Sequence, residues 1–90
     1  MDDVEVTVEF FGIPRQRARR VELAVRARNV AEVLAAVERG CPGLAGLVRA
    51  DGSLASQYLL SLDGREFASD LQRPLHRGER LLLLSADAGG

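Results

Sequence analysis

Ninety residues with 47% hydrophobic side chains and a formal charge of -1 make one small globular domain. That charge balance excludes general attraction to nucleic acid or anionic membrane, and a single cysteine, Cys41, excludes an internal disulfide framework or a multi-cysteine metal site. All 12 basic side chains are Arg, a bias that a genome rich in G and C would produce, so the chain cannot be linked to itself through a lysine.

In chain order, Val4, Val6, Val8 and Phe10 alternate with Glu5, Thr7 and Glu9, the period of two of a half-buried strand. Met1-Asp2-Asp3 before it carries no sign of a signal peptide. Gly12-Ile13-Pro14 breaks the strand, and a basic stretch with Arg15, Arg17, Arg19 and Arg20 follows, read as a solvated loop or, alternatively, as a surface that steers toward an acidic enzyme. Val21, Leu23 and Val25 alternate with Arg20, Glu22 and Arg26, so the two strands form a hairpin. The period then changes. Val30, Val33, Leu34 and Val37 fall on one helical stripe, which predicts an amphipathic helix from Val30 to Arg39. Asn29 is placed as its N-cap, Glu32 as the capping-box acid, and Gly40 and Pro42 as stop signals. Leu44, Leu47 and Val48 continue the core in a short turn.

Asp51-Gly52-Ser53 marks a loop, and Tyr58, Leu60 and Leu62 give another alternating strand ended by the tight-turn dipeptide Asp63-Gly64. A short return over Glu66 to Ala68 and a turn at Pro74 to Glu79 lead to a last strand, Arg80 to Ser85. Its unbroken apolar run, Leu81 to Leu84, is far too short to span a bilayer, so a cytoplasmic protein is expected. One helix covers only one face of a small mixed sheet. The order of elements therefore predicts an α+β β-grasp fold, as in ubiquitin, with the first and last strands parallel at the sheet's centre. Residues 1–84 form that domain and residues 85–90 a flexible tail ending in Gly89-Gly90. Two terminal glycines occur by chance in about one chain in 200.

Chemistry-bearing side chains are sparse. Cys41 beside Pro42 reads as buried filler, and the one histidine, His76, sits in an exposed turn with nothing to bring the two together. The carboxylates show no metal-ligand or paired-acid spacing, so neither a catalytic residue nor a metal site is expected. With Leu81 and Leu83 facing the helix, Leu82 and Leu84 point to the other face beside Leu59. There they are either covered by a loop or form an apolar partner surface.

Taken together, Val4-Glu5-Val6-Thr7-Val8-Glu9-Phe10-Phe11-Gly12, Cys41-Pro42-Gly43-Leu44, Leu60-Ser61-Leu62-Asp63-Gly64, Pro74-Leu75-His76-Arg77-Gly78-Glu79-Arg80 and Gly89-Gly90 resemble the small sulfur carrier proteins of the MoaD/ThiS group over essentially the whole chain. Ser85, Ala86 and Asp87 stand where the molybdopterin synthase small subunit usually has a proline-containing apolar stretch. The resemblance implies a carrier that binds no cofactor of its own. A ubiquitin-activating-like adenylyltransferase would use ATP to adenylate Gly90, and a sulfur donor would convert it to a thiocarboxylate. Gly89, Ala88 and Asp87 would thread the partner's channel, and Leu59, Leu82 and Leu84 would form the docking face. The recipient would be a synthase like the molybdopterin synthase large subunit. Thiamine, cysteine or a thiolated metabolite are alternative destinations, and conjugation to target lysines as a ubiquitin-like modifier is an alternative function.

Overall fold

The computed structural model describes residues 2–63 and 66–86. Strands β1 (Val4–Phe10) and β2 (Glu22–Ala27) flank a short helix α1 (Ile13–Ala18). Helix α2 (Val30–Gly40) and a 3-10 turn at Pro42–Leu44 follow, and then come β3 (Tyr58–Leu62), β4 (Glu66–Phe67) and β5 (Arg80–Ser85). The sheet order is β2-β1-β5-β3-β4, with β1 and β5 parallel at the centre and the other pairs antiparallel. This is the predicted α+β β-grasp arrangement. The parallel pairing requires a long crossover, which everything between β2 and β5 supplies.

The inner face of the sheet is apolar in register. Val8 lies between Leu23 and Leu81, Leu81 opposes Leu62, and Phe10 and Leu60 both oppose Leu83. The α2 stripe of Val30, Val33, Leu34 and Val37 packs into the same cluster, each side chain no more than 1% exposed. Leu44, Leu47 and Cys41 complete it, so the cysteine is core filler as expected.

The start of α2 is held by distant chain as well as by its cap. Asn29 Oδ1 accepts the Glu32 amide at 3.0 Å, while the Val30 and Ala31 amides donate to the carbonyls of Arg73 and Leu71. Four orphan donors at a helix start need partners, and a loop from the far end of the sequence provides two. The Glu32 carboxylate reaches back to the Arg28 amide, one residue before the cap, at 2.8 Å, and pairs with the Arg28 guanidinium. This is a looser closure than the capping box predicted at that position.

Two further expectations are corrected. The basic stretch is not a loop but contains α1, opened by Gly12 at φ 59° and Pro14 in the first turn and closed by Arg19 at φ 60°. Val21 is not an inward strand residue: it precedes β2 and is 56% exposed, and Ala27 takes the corresponding core position at the other end. β2 is an edge strand of the sheet.

Candidate functional site

Strand β5 sets the geometry of the last described residues. It lies parallel to β1, so both strands finish at the same end of the sheet, where β3 begins with Tyr58 opposite Ser85. Ser85 is the last residue of β5, and the Ala86 amide donates to the Gln57 carbonyl at 2.8 Å. Asp87, Ala88, Gly89 and Gly90, the residues expected to thread and react, lie outside the described residues.

The alternation along β5 places its leucines as read from the sequence. Leu81 and Leu83 are buried against α2, and Leu82 and Leu84 are half-buried on the opposite face. Leu84 pairs with Leu59, also half-buried. None of the three belongs to the hydrophobic core or packs against it. The ladder pairs Leu82 with Ser61, and Ser61 with Phe67, which is 59% exposed. Phe11, one residue past the end of β1, is a further exposed aromatic, its amide donating to the Leu83 carbonyl. Neither Phe67 nor Phe11 stands out by its spacing along the chain. The signal for Phe67 was its place in the short return strand, whose pairing with β3 brings it into line with Leu82.

On the other half of the same face, Glu9 pairs with Leu82 on one side and Glu22 on the other. Arg80 binds both acids, at 2.6 Å to Glu9 and 3.1 Å to Glu22. The outer face thus carries Leu82, Leu84, Leu59 and Phe67 over the later part of β5, β3 and β4, and ion pairs over β1, β2 and the start of β5.

At the exit end, on the core side, a cavity of about 280 Å³ is lined by Ile13, Arg17, Gln57, Tyr58 and Ser85. Arg17 Nη1 donates to the buried Tyr58 hydroxyl at 2.8 Å, tying α1 to the start of β3. Gly43 lets α1 come close: a Cβ there would stand 1.9 Å from the Arg17 carbonyl oxygen.

Burial pushes the Cys41 thiol up, away from the reactive thiolate, with a smaller opposing effect from Arg20. His76 is exposed, as expected. No group of three or more His, Cys, Asp and Glu side chains that could hold a metal occurs among the described residues. No helix among them is long and apolar enough to cross a membrane.

No protein-family model and no curated protein matches the chain in sequence. Solved structures do. Small archaeal modifier protein 1 from Methanosarcina acetivorans superposes with a TM-score of 0.82 at 21% identity, over 100% of both chains. The corresponding protein from Haloferax volcanii gives 0.80 at 22% identity, over 96% of this chain and 99% of that one. The complex of subunits 1 and 2 of molybdopterin-converting factor from Helicobacter pylori contains a chain that matches at 0.67 and 22% identity, over 97% of this chain and all of that one. What these likenesses establish is the architecture: the chain has the ubiquitin-like β-grasp fold that small archaeal modifiers and molybdopterin-converting factor share.

Proposed function

We propose that this chain is a ubiquitin-like sulfur carrier whose reactive group is the carboxyl of Gly90. The observation that carries the reading is the outer sheet face. Its half-buried leucines, Leu59, Leu82 and Leu84, flank the end of β5 from which the chain runs on to Gly90.

The chemistry follows from the acyl group. A carboxylate is a poor electrophile, and activation starts when its oxygen attacks the α-phosphorus of ATP and pyrophosphate leaves. The ATP is bound by a ubiquitin-activating-like adenylyltransferase, and this chain holds no cofactor. The terminal sulfur of a donor protein's persulfide then attacks the acyl adenylate carbonyl and AMP leaves, giving an acyl disulfide. A partner thiol cleaves its S–S bond, forming a disulfide with the donor cysteine and releasing the thiocarboxylate at Gly90. Such sites exclude water to protect the activated acyl group, and Gly89 with Ala88 supplies a narrow backbone able to enter them. Asp87 forms the polar neck. The carrier contributes a handle and a cargo end, and the acid–base groups belong to its partners. Molybdopterin is the destination we assign, with a synthase like the molybdopterin synthase large subunit as recipient. The match to a chain from the molybdopterin-converting factor complex supports that choice.

A second reading, conjugation of Gly90 to lysines of target proteins, is favoured by the higher TM-scores to small archaeal modifier protein 1. Both readings share the adenylated intermediate and part at the product. Intact-mass spectrometry of the chain isolated from its own cells separates them. Exchange of one oxygen for one sulfur at Gly90 marks the carrier, and adducts of larger mass on protein lysines mark the modifier. Deleting Gly90 abolishes sulfur delivery and leaves the fold intact; full delivery by the shortened chain ends the proposal.

A further inference from the structure

Helix α1 and the turn after it place Arg15, Arg17, Arg19 and Arg20 on the surface at the end of the sheet where β5 finishes. Their side-chain contacts are with neutral groups. Arg15 Nε donates to the Phe10 carbonyl at 2.9 Å, and its guanidinium carbon stands 5.4 Å from the centre of the Phe11 ring. Arg17 donates to the Tyr58 hydroxyl. Among the described residues no carboxylate lies within ion-pair distance of any of the four, nor of the scattered Arg39, Arg49 and Arg77, whereas Arg26, Arg28, Arg73 and Arg80 all pair with acids. Glu9 and Glu22, the acids that precede and follow this segment in the sheet, are occupied by Arg80. Among the described residues, four positive charges without an ion-pair partner thus gather at one end of a chain of net charge -1. Two of the four are oriented by bonds that leave the charge intact.

The geometry points to an electrostatic docking surface on α1 for acidic side chains of the protein that receives the tail. The inference rests on the reading that a partner enzyme acts at Gly90. Length decides between a protein and a phosphate group as the counter-charge. Four residues beyond Ala86 reach at most about 14 Å, so a partner acting on Gly90 holds its nucleotide at the far end of that span. Arg17 stands at the near end, lining one cavity with Ser85, with Arg15 on the same helix, and so meets the mouth of the partner's channel. Carboxylates around that mouth complement them. Charges at such a rim act mainly on the association rate and are screened by salt.

The test uses ATP–pyrophosphate exchange by the ubiquitin-activating-like enzyme of the same organism, with the full chain as substrate. The Arg19→Gln/Arg20→Gln variant is chosen because those side chains hold no hydrogen bond in the fold, and the quadruple Gln variant extends it. At roughly 0.05 M NaCl, where screening is weak, the double variant raises KM about three- to tenfold with kcat unchanged. At about 1 M NaCl, where the screening length is about 3 Å, the difference disappears. Equal KM at low salt, or a loss confined to kcat, overturns the docking surface. If deleting Gly90 leaves exchange unchanged, the reading beneath it fails instead. A measurement free of the enzyme is an NMR titration of the chain with a hexaglutamate peptide. Shifts concentrated on residues 10–20 and 57–58 and reversed by salt support the surface, and equal shifts around Arg26, Arg28 and Arg77 overturn it.

Discussion

Among the described residues Glu79 is the one charged side chain the fold buries, at 7% exposure, and replacing its partner tests how that burial is sustained. Its Oε2 lies 2.9 Å from Arg73 Nη2, an ion-pair contact without hydrogen-bond alignment. Its Oε1 accepts the His76 amide at 3.0 Å and Arg73 Nη1 at 3.4 Å. The Arg73→Met variant keeps the length of the side chain and removes its charge, leaving a carboxylate held by one amide. Breaking a buried pair from one side costs about 3–5 kcal/mol. The Arg73 side chain is 26% exposed, so water compensates part of the loss and about 2–3 kcal/mol is expected. For a domain of this size that lowers Tm by roughly 8–24 °C.

The pH dependence sharpens the test. In the native protein burial pushes the Glu79 carboxyl up, but the Arg73 hydrogen bond, the His76 amide and the Arg73 charge outweigh it and hold it below the ordinary carboxylate range. A depressed carboxyl contributes stability above its unfolded value of about 4.3 and loses it as pH falls through the folded value. In Arg73→Met burial is left largely unopposed, so the carboxyl rises above about 4.3 and its cost grows as pH increases. The stability gap between the two proteins is therefore full near neutral pH, narrows as pH falls through about 4.3, and closes below the depressed native value of Glu79. Urea unfolding followed by far-UV circular dichroism between those limits reads it. A gap below about 0.5 kcal/mol, or one constant with pH, refutes the reasoning.

Gly43→Ala should destabilise by about 1–3 kcal/mol, because the added Cβ meets the Arg17 carbonyl oxygen at 1.9 Å and backbone has to move. An unchanged or raised Tm would show that α1 is not held against the 3-10 turn. Asn29→Ala should cost about 1 kcal/mol through the lost bond to the Glu32 amide, read by denaturant midpoint at constant slope. Cys41, 1% exposed, should resist a thiol reagent in the native state and react at the rate of unfolding. Immediate labelling would place it at the surface.

Much of the fold was legible because its signals are periodic. The strands around Val6, Leu60 and Leu83 show period two, and α2 shows a full helical stripe, so element type and facing followed from spacing alone. Helix α1 was not legible for the opposite reason. It has six residues, begins at a strand-breaking Gly-Ile-Pro, and buries only Pro14 and Ala18, too few positions to define a period. Those two, one helical turn apart behind a proline, were the available signal. Glu79 was hidden by its setting, since nothing in Pro74-Leu75-His76-Arg77-Gly78-Glu79-Arg80 separates an acid that Arg73 covers from one in solvent. On the outer face, the facing of Leu59, Leu82 and Leu84 could be read, but the aromatic neighbours depend on strand pairing. Period-two patterns do not encode which strands adjoin.

The division of the outer face is itself an argument about use. One ladder crosses the sheet as Glu22, Glu9, Leu82, Ser61 and Phe67. Toward the start of β5 the neighbouring outward residues are Ala24, Thr7 and Arg80, and toward its end they are Leu84 and Leu59. The β1–β2 half shows that this sheet accepts charged residues on its open face at no cost to the core. Leucines and an aromatic on the other half therefore follow from no folding requirement, because the inner face already supplies the buried cluster. They lie nearest the point where the chain leaves the sheet, and the arginines of α1 lie at that same end. A partner gripping apolar side chains on one side of the exit and the arginines on the other would fix the direction in which the tail enters. Single contacts to either patch could not.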